Sequence, residues 1–346
     1  MVEIESNKEV QGIKELIRTN LAIFSISLDF ELHWGGFEKW PLDQYRNYFL
    51  KTREVIPTIL ASFERYEVHT TWATVGLLLH RNREELHSIF PKEKPTYHQI
   101  ALGASNYISQ NQVGKNETDD PFHYAPLLIQ EILITKGQEL ASHSYGHYYC
   151  NEPGQNPQQF KADALAWNRA AESYGIKAGS LVFPRNQFNR DYLKVCNEVG
   201  IKIIRTNPVD WWWQIDSTQN ESKWKRLNRG LDAYFSIGGK TSYPISSIKQ
   251  QEGVWLLPAS RLLRPYAIRE LFLNDKKIDR IKDEMTLAAR NKECYHLWWH
   301  PHNFGGNPAK NMEGLDEILR HYAYLKNKYG MTSLNMSEIA TRLENG

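Results

Sequence analysis

The chain has 346 residues, 41% apolar and 24% charged, which is ordinary for a globular protein able to bury a core without disulfide or metal staples. Its 42 basic and 40 acidic side chains leave a net charge of +2 and are mixed along the chain, so no basic footprint for nucleic acid is present. Cys150, Cys196 and Cys294 are isolated, without CxxC spacing, which fits small buried thiols in a reducing compartment.

Residues 1–20 are charged and hold no signal-peptide core, and residues 21–30 are too short an apolar run to span a bilayer. The expectation is a cytoplasmic chain with no integral membrane segment, a peripheral contact remaining open. Residues 22–30 read as a strand ending in acids, and residues 48–66 have helical spacing of Phe49, Val55, Ile59, Leu60 and Phe63 around Pro57. Residues 68–75 form the next strand. Residues 81–121 are polar and broken by prolines, as an insertion would be. A helix over 124–135 closes at Gly137, and strand 138–142 runs into a histidine pair. Helix 157–174, strand 180–183, helix 190–199 and strand 201–205 follow. Residues 207–252 look irregular, and the short basic run Lys223-Trp224-Lys225-Arg226 within them reads as a solvated loop. Strands over 254–257 and 295–299 alternate with helices over 267–292 and 313–329. This alternation implies parallel strands joined by helices, an α/β fold. About seven strand candidates suit a barrel, with a doubly wound open sheet as the alternative. No repeat or linker divides residues 1–346, so one domain with an insertion at 81–121 is expected.

Several side-chain groups fall at strand ends, where α/β enzymes place their chemistry. Side chains alternate along a strand, so Asp29 and Glu31 share one face at the end of strand 22–30. Two close carboxylates repel, and a cation or a raised pKa must relieve them. His143 and His147 stand four apart, the spacing that puts two imidazoles on one face of a helical turn. His300 ends a late strand, with His302 beyond Pro301 as an alternative. His296 lies deeper and reads as a hydrogen-bonded core residue. Arg185 and Asn186 follow another strand, where an arginine could orient a carboxylate. Asp210-Trp211-Trp212-Trp213 follows the strand over 201–205, and three consecutive tryptophans cannot all face a core.

Taken in order, these pieces resemble the polysaccharide deacetylase superfamily, the NodB-homology group, over nearly the whole chain from Leu21. The segment Gly137-Gln-Glu-Leu-Ala-Ser-His143-Ser-Tyr-Gly-His147 is similar to its G-x-E-[IL]-x-x-H-[ST]-x-x-H motif. Thr70-Thr-Trp-Ala-Thr-Val-Gly76 is similar to its second strand, Leu28-Asp29 to its first strand end, Trp299-His300 to its late histidine motif, and Asp210-Trp211 to its D-W loop. Two departures stand out. Phe30 follows Asp29 where a second acid is usual, and Arg185 follows Pro184 instead of preceding a proline.

The resemblance implies a deformed (β/α)7-8 barrel and a divalent metal, usually zinc, held by one acid and two histidines. It assigns Glu31, His143 and His147 as ligands, Asp29 as general base, His300 as proton donor, and Arg185 and Asp210 as groups holding these in register. Trp211, Trp34 and Asn186 are the candidate substrate contacts. The implied activity is hydrolysis of an N-acyl group, acetyl in the usual case, on an amino sugar. With no export signal read, the expected substrate is an intracellular precursor of surface polysaccharide. Two other readings stay open: an amidohydrolase acting on a non-sugar C–N bond, and a catalytically silent carbohydrate-binding protein.

Overall fold

The computed structural model of the chain describes residues 21–214 and 222–345. Residues 1–20, on which part of the localisation expectation rests, lie outside them. The strands are β1 (Ile23–Phe30), β2 (Thr70–Thr74), β3 (Gln138–Ser142), β4 (Ser180–Val182), β5 (Ile203–Thr206), β6 (Lys249–Gln251), β7 (Val254–Pro258), β8 (Arg261–Leu262), β9 (Cys294–Trp299) and β10 (Thr332–Ser333). They form one sheet in the order β6-β7-β5-β4-β3-β2-β1-β9-β8, with β10 also paired to β1. Every pairing is parallel except β6 with β7.

The sheet is a deformed barrel, not a continuous closed ladder. β7 pairs with β5 and β8 pairs with β9, yet only Ala259 and Ser260 separate β7 from β8. The Ala259 N–H still donates to Thr206 O (2.9 Å), and the Ser260 N–H donates to His296 O (2.8 Å). One bent segment therefore changes partner and bridges the two edges of the sheet.

β1 shows why the strands form. All eight residues are buried, with period-two chemistry. Phe24, Ile26, Leu28 and Phe30 join the large core under the outer helices. The opposite parity carries Ser25, Ser27 and Asp29 into the barrel. There the small Ser27 accepts hydrogen bonds from Arg205 (3.0 Å) and pairs with His296 Nε2 (2.8 Å). Helix Leu42–Tyr66 covers β1 and β2 with Phe49, Ile56, Ile59 and Phe63, all fully buried.

Two segments are more ordered than their sequence suggests. Residues 81–121 contain helices Arg83–Ile89 and Ala104–Ser109, and the Asn82 side chain caps the first by accepting from the Glu85 N–H (2.8 Å). The basic run starting at Lys223 is no loop but opens helix Lys223–Asp232, capped by the Ser222 side chain. Its apolar residues point to solvent, so no inward stripe betrays it.

Candidate metal centre

The site sits at the carboxyl ends of β1, β3 and β9. β1 delivers Asp29 to the barrel mouth, and Glu31 is the first residue beyond the strand. The chain then tightens through Leu32, whose φ is 44°, into the turn Leu32–Gly35. That turn leaves no room for a side chain at Gly35, where a Cβ would lie 2.1 Å from Glu31 Oε1. His33 anchors it from below. Its Nδ1 meets His123 Nε2 at 2.9 Å, and His123 Nδ1 meets Asp120 Oδ2 at 2.7 Å. Burial and the neighbouring His123 lower the His33 pKa to about 4.

β3 delivers His143, but residues 143–147 are not the helical turn that their spacing suggests. Ser144 and His147 both have left-handed backbones, at φ 60° and 56°. Such residues cost energy and persist only where the surroundings impose them. Here the imposing group is Asp163, from helix Pro157–Ala171. Its two buried oxygens accept the Tyr145 N–H (2.6 Å) and the Gly146 N–H (2.8 Å). The Ser144 hydroxyl accepts the Tyr148 N–H (2.6 Å), so side-chain acceptors take amides that a helix would have used. Burial raises the Asp163 pKa to about 7, opposed by those two amides.

The loop aims both imidazoles at one carboxylate oxygen. Glu31 Oε2 lies 2.9 Å from His147 Nε2 and 3.3 Å from His143 Nε2. Among the described residues these three form a buried group whose donor atoms all fall within 4.8 Å of one another. The His143 Nδ1–H donates to Val182 O (2.9 Å), which leaves the lone pair on Nε2. That Nε2 is buried and makes no hydrogen bond. A buried imidazole lone pair, a second imidazole and a carboxylate are the donor set of a catalytic zinc site, so the three residues could hold a divalent metal. Burial pushes the Glu31 pKa up, but His300, His147 and His143 outweigh it and hold the carboxyl well below its usual range.

Asp29 is fixed by a residue that the sequence reading did not assign. Arg205, at the end of β5, grips it with two parallel bonds of 2.6 and 2.8 Å. The guanidinium also reaches Ser27 and Asn186 Oδ1 (both 3.0 Å) and lies 4.4 Å from the centre of the Trp298 ring. Burial pushes the Asp29 pKa up, and Arg205, His143 and His300 bring it below the usual carboxylate value. Arg205 shares strand parity with Ile203 and points inward, the same argument that placed Asp29.

His300 faces both acids, with Nε2 3.6 Å from Asp29 Oδ2 and 3.7 Å from Glu31 Oε1. His302 Nδ1 lies 3.7 Å from Glu31 Oε1 and, buried, has its pKa lowered to about 3. His296 is the core residue expected, bonded to Ser27 below the site.

The remaining expected residues are spread around and beyond the site. Arg185 pairs with Glu38 and stacks 4.1 Å over the Tyr149 ring, and does not reach Asp29. Asn186 spends its side-chain oxygen on Arg205. Asp210 accepts from the Gly239 N–H (3.4 Å) and lines a separate cavity with Lys240 and Tyr243. Trp34 is fully buried, its indole N–H donating to His123 O (3.0 Å), so it is not placed to touch a ligand. Of the three consecutive tryptophans, Trp211 is exposed and Trp212 is buried. The cleft over Glu31, about 440 Å³, is lined by Trp40, Arg185, Arg226, His147, His300 and His302.

Asp163→Ala would strip the buried Tyr145 amide and the part-buried Gly146 amide of their acceptor. At about 1–3 kcal/mol each, a loss of roughly 2–6 kcal/mol in unfolding free energy is expected. Metal affinity should fall with it, because the loop holding both imidazoles loosens. Urea melts and metal titration of the same variant check both effects.

No protein-family profile matches the sequence, and no curated protein matches it. Solved structures do. A Mycobacterium smegmatis protein provisionally assigned as a polysaccharide deacetylase superposes with a TM-score of 0.59 at 15% identity, over 94% of this chain and 91% of that one. The likeness is one of fold. An allantoinase follows at TM-score 0.51 and 11% identity, over 95% and 91% of the two chains. A 4-alpha-glucanotransferase from Thermococcus litoralis reaches 0.50 at 10% identity, with 93% of this chain covering 40% of that one. The barrel thus serves proteins of different described activities, and function has to be argued from the site.

Proposed function

We propose that the protein is a metal-dependent hydrolase that removes an N-acyl group, acetyl in the simplest case, from an amino-sugar substrate. The observation carrying this reading is the convergence of His143 and His147 on Glu31, with Asp29 held separately by Arg205 alongside. Glu31, His143 and His147 would hold the ion. A divalent metal such as Zn²⁺ supplies Lewis acidity, polarising a carbonyl and lowering the pKa of water to about 7.

The chain's own residues divide the remaining work. Asp29 is ionised and locked in orientation, so it can accept the proton of the attacking water. The guanidinium of Arg205 makes Asp29 a weaker base, and the gain is position, since a fixed carboxylate loses no freedom on reaction. His300, within 4 Å of both acids and partly open to the cleft, could hand a proton to the leaving nitrogen. Trp40 offers an aromatic face beside the acids, and its ring meets His302 edge-on with centroids 5.3 Å apart. An intracellular precursor of surface polysaccharide remains the proposed substrate.

Asp29→Asn keeps the shape but cannot take a proton. Turnover should fall by roughly 100-fold or more while metal content is unchanged. Acetate or formate release from a panel of N-acylated sugars and nucleotide sugars, set against ring opening of cyclic ureides to the open-chain ureido acid, measures this and fixes the substrate. Unimpaired turnover in the variant would remove Asp29 from the chemistry, and ring opening of ureides with no release from sugars would remove the sugar.

A further inference from the structure

The two imidazoles that converge on Glu31 are held from behind by different partners. A ring whose Nε2 lone pair faces a cation carries its proton on Nδ1, and the acceptor of that proton sets the ring plane and the aim of the lone pair. For His143 the acceptor is a backbone carbonyl, Val182 O at 2.9 Å. For His147 it is a side chain. Its Nδ1 lies 2.9 Å from the Tyr149 hydroxyl oxygen, while its Nε2 lies 2.9 Å from Glu31 Oε2. The Tyr149 ring also meets the His147 ring edge-on, with centroids 5.1 Å apart and planes at 83°.

A hydroxyl can aim a ligand only if it is itself locked in place. Tyr149 is fully buried, and it packs with Tyr97 and Leu102 in a small cluster apart from the main core. Its N–H donates to the Tyr97 hydroxyl (2.8 Å), and the two rings lie 5.9 Å apart. Tyr97 and Leu102 both belong to the segment 81–121, and the His98 N–H of that segment donates to Pro153 O (2.9 Å), just beyond Tyr149. On the other face of the Tyr149 ring chemistry continues outward: Arg185 lies 4.1 Å from the ring centre and lines the cleft over Glu31. The neighbouring Tyr148 is comparably buried but turns away, its hydroxyl 3.0 Å from Gln155 Oε1 and 2.9 Å from Asn156 O.

We propose that Tyr149 is a positioning residue of the metal centre. Its hydroxyl oxygen accepts the His147 Nδ1–H and so points the Nε2 lone pair at the position shared with Glu31 and His143. The segment 81–121 serves the site by holding Tyr149 through Tyr97. The inference takes its ligand set from the hydrolase reading and adds to it the outer partner that fixes one ligand.

The test reads two properties of the full-length chain: zinc affinity, by competition with a chromophoric chelator, and the visible absorption bands of the cobalt-loaded protein. Tyr149→Phe removes one oxygen and should weaken zinc binding by roughly 10–100-fold and shift the cobalt bands. Tyr97→Phe removes the acceptor of the Tyr149 N–H and should weaken zinc binding in the same direction by less; it carries the test should Tyr149→Phe not fold. Tyr148→Phe deletes a comparably buried hydroxyl one residue away and should leave both properties as in the wild type, which a merely structural role for Tyr149 would not distinguish. Unchanged zinc affinity in Tyr149→Phe, or equal losses in Tyr149→Phe and Tyr148→Phe, would overturn the proposal and leave the hydrolase reading standing. A wild-type chain that takes up no zinc would sink that reading and this inference together.

Discussion

Replacing His147 by alanine is expected to drop bound divalent metal from about one ion per chain to near zero, and hydrolysis to background with it. The geometry makes this residue irreplaceable. His147 stands at φ 56° in a loop pinned by Asp163, and its Nε2 is 2.9 Å from Glu31 Oε2. The other imidazoles that face Glu31 among the described residues, His300 and His302, stand 3.7 Å from Oε1, the other oxygen. His296→Gln is the matching control, because that ring sits below the acids on Ser27 and should leave the metal content intact. Mass-spectrometric metal analysis after gel filtration reads both variants. Full metal retention by His147→Ala would mean that the donor set is wrong.

Arg205→Met should be the most destabilising single change at the site. It leaves the buried carboxylate of Asp29 without its bidentate partner, a defect worth about 3–5 kcal/mol. The sign of its pH dependence follows from the lowered Asp29 pKa in the folded protein. Stability from the pair is fully present above the unfolded-state value near 3.8 and is lost as pH falls through the lower folded value. In the variant, burial acts on Asp29 with its strongest opposing charge gone, so its pKa rises and acid protonates it more easily. The stability gap between wild type and variant should therefore narrow as pH falls. Asp29→Asn added to Arg205→Met should recover much of the loss at pH 7, since the amide carries no charge to strand. Urea denaturation of the two single variants and the double variant measures the coupling. Additive losses would show that Asp29 and Arg205 do not form the pair described.

What could be read from the residues followed parity and spacing. Asp29 on the inner face of β1 and Glu31 just beyond its end needed only the two-residue strand repeat, and β3 was legible as the short stretch between Gly137 and the histidine pair. The conformation of residues 143–147 was not legible, because it depends on Asp163, twenty residues after His143 and on a different element. Arg205 was hidden by convention: as the last residue of a strand candidate it was counted for its backbone and not for its side chain. Arg185 drew attention by following a strand end, and it folds onto Glu38 and Tyr149. Trp34 was a candidate substrate contact, yet the tight turn at Leu32–Gly35 folds its ring back into the core. Helix Lys223–Asp232 escaped because its apolar stripe faces outward.

Anomalous diffraction from crystals grown with zinc, recorded on both sides of the zinc absorption edge, puts the central claim to its most direct test. A single peak is predicted about 2.0–2.2 Å from Glu31 Oε2, His143 Nε2 and His147 Nε2 together. A peak held instead by His300 and His302, or no peak at fully loaded zinc, would contradict the account.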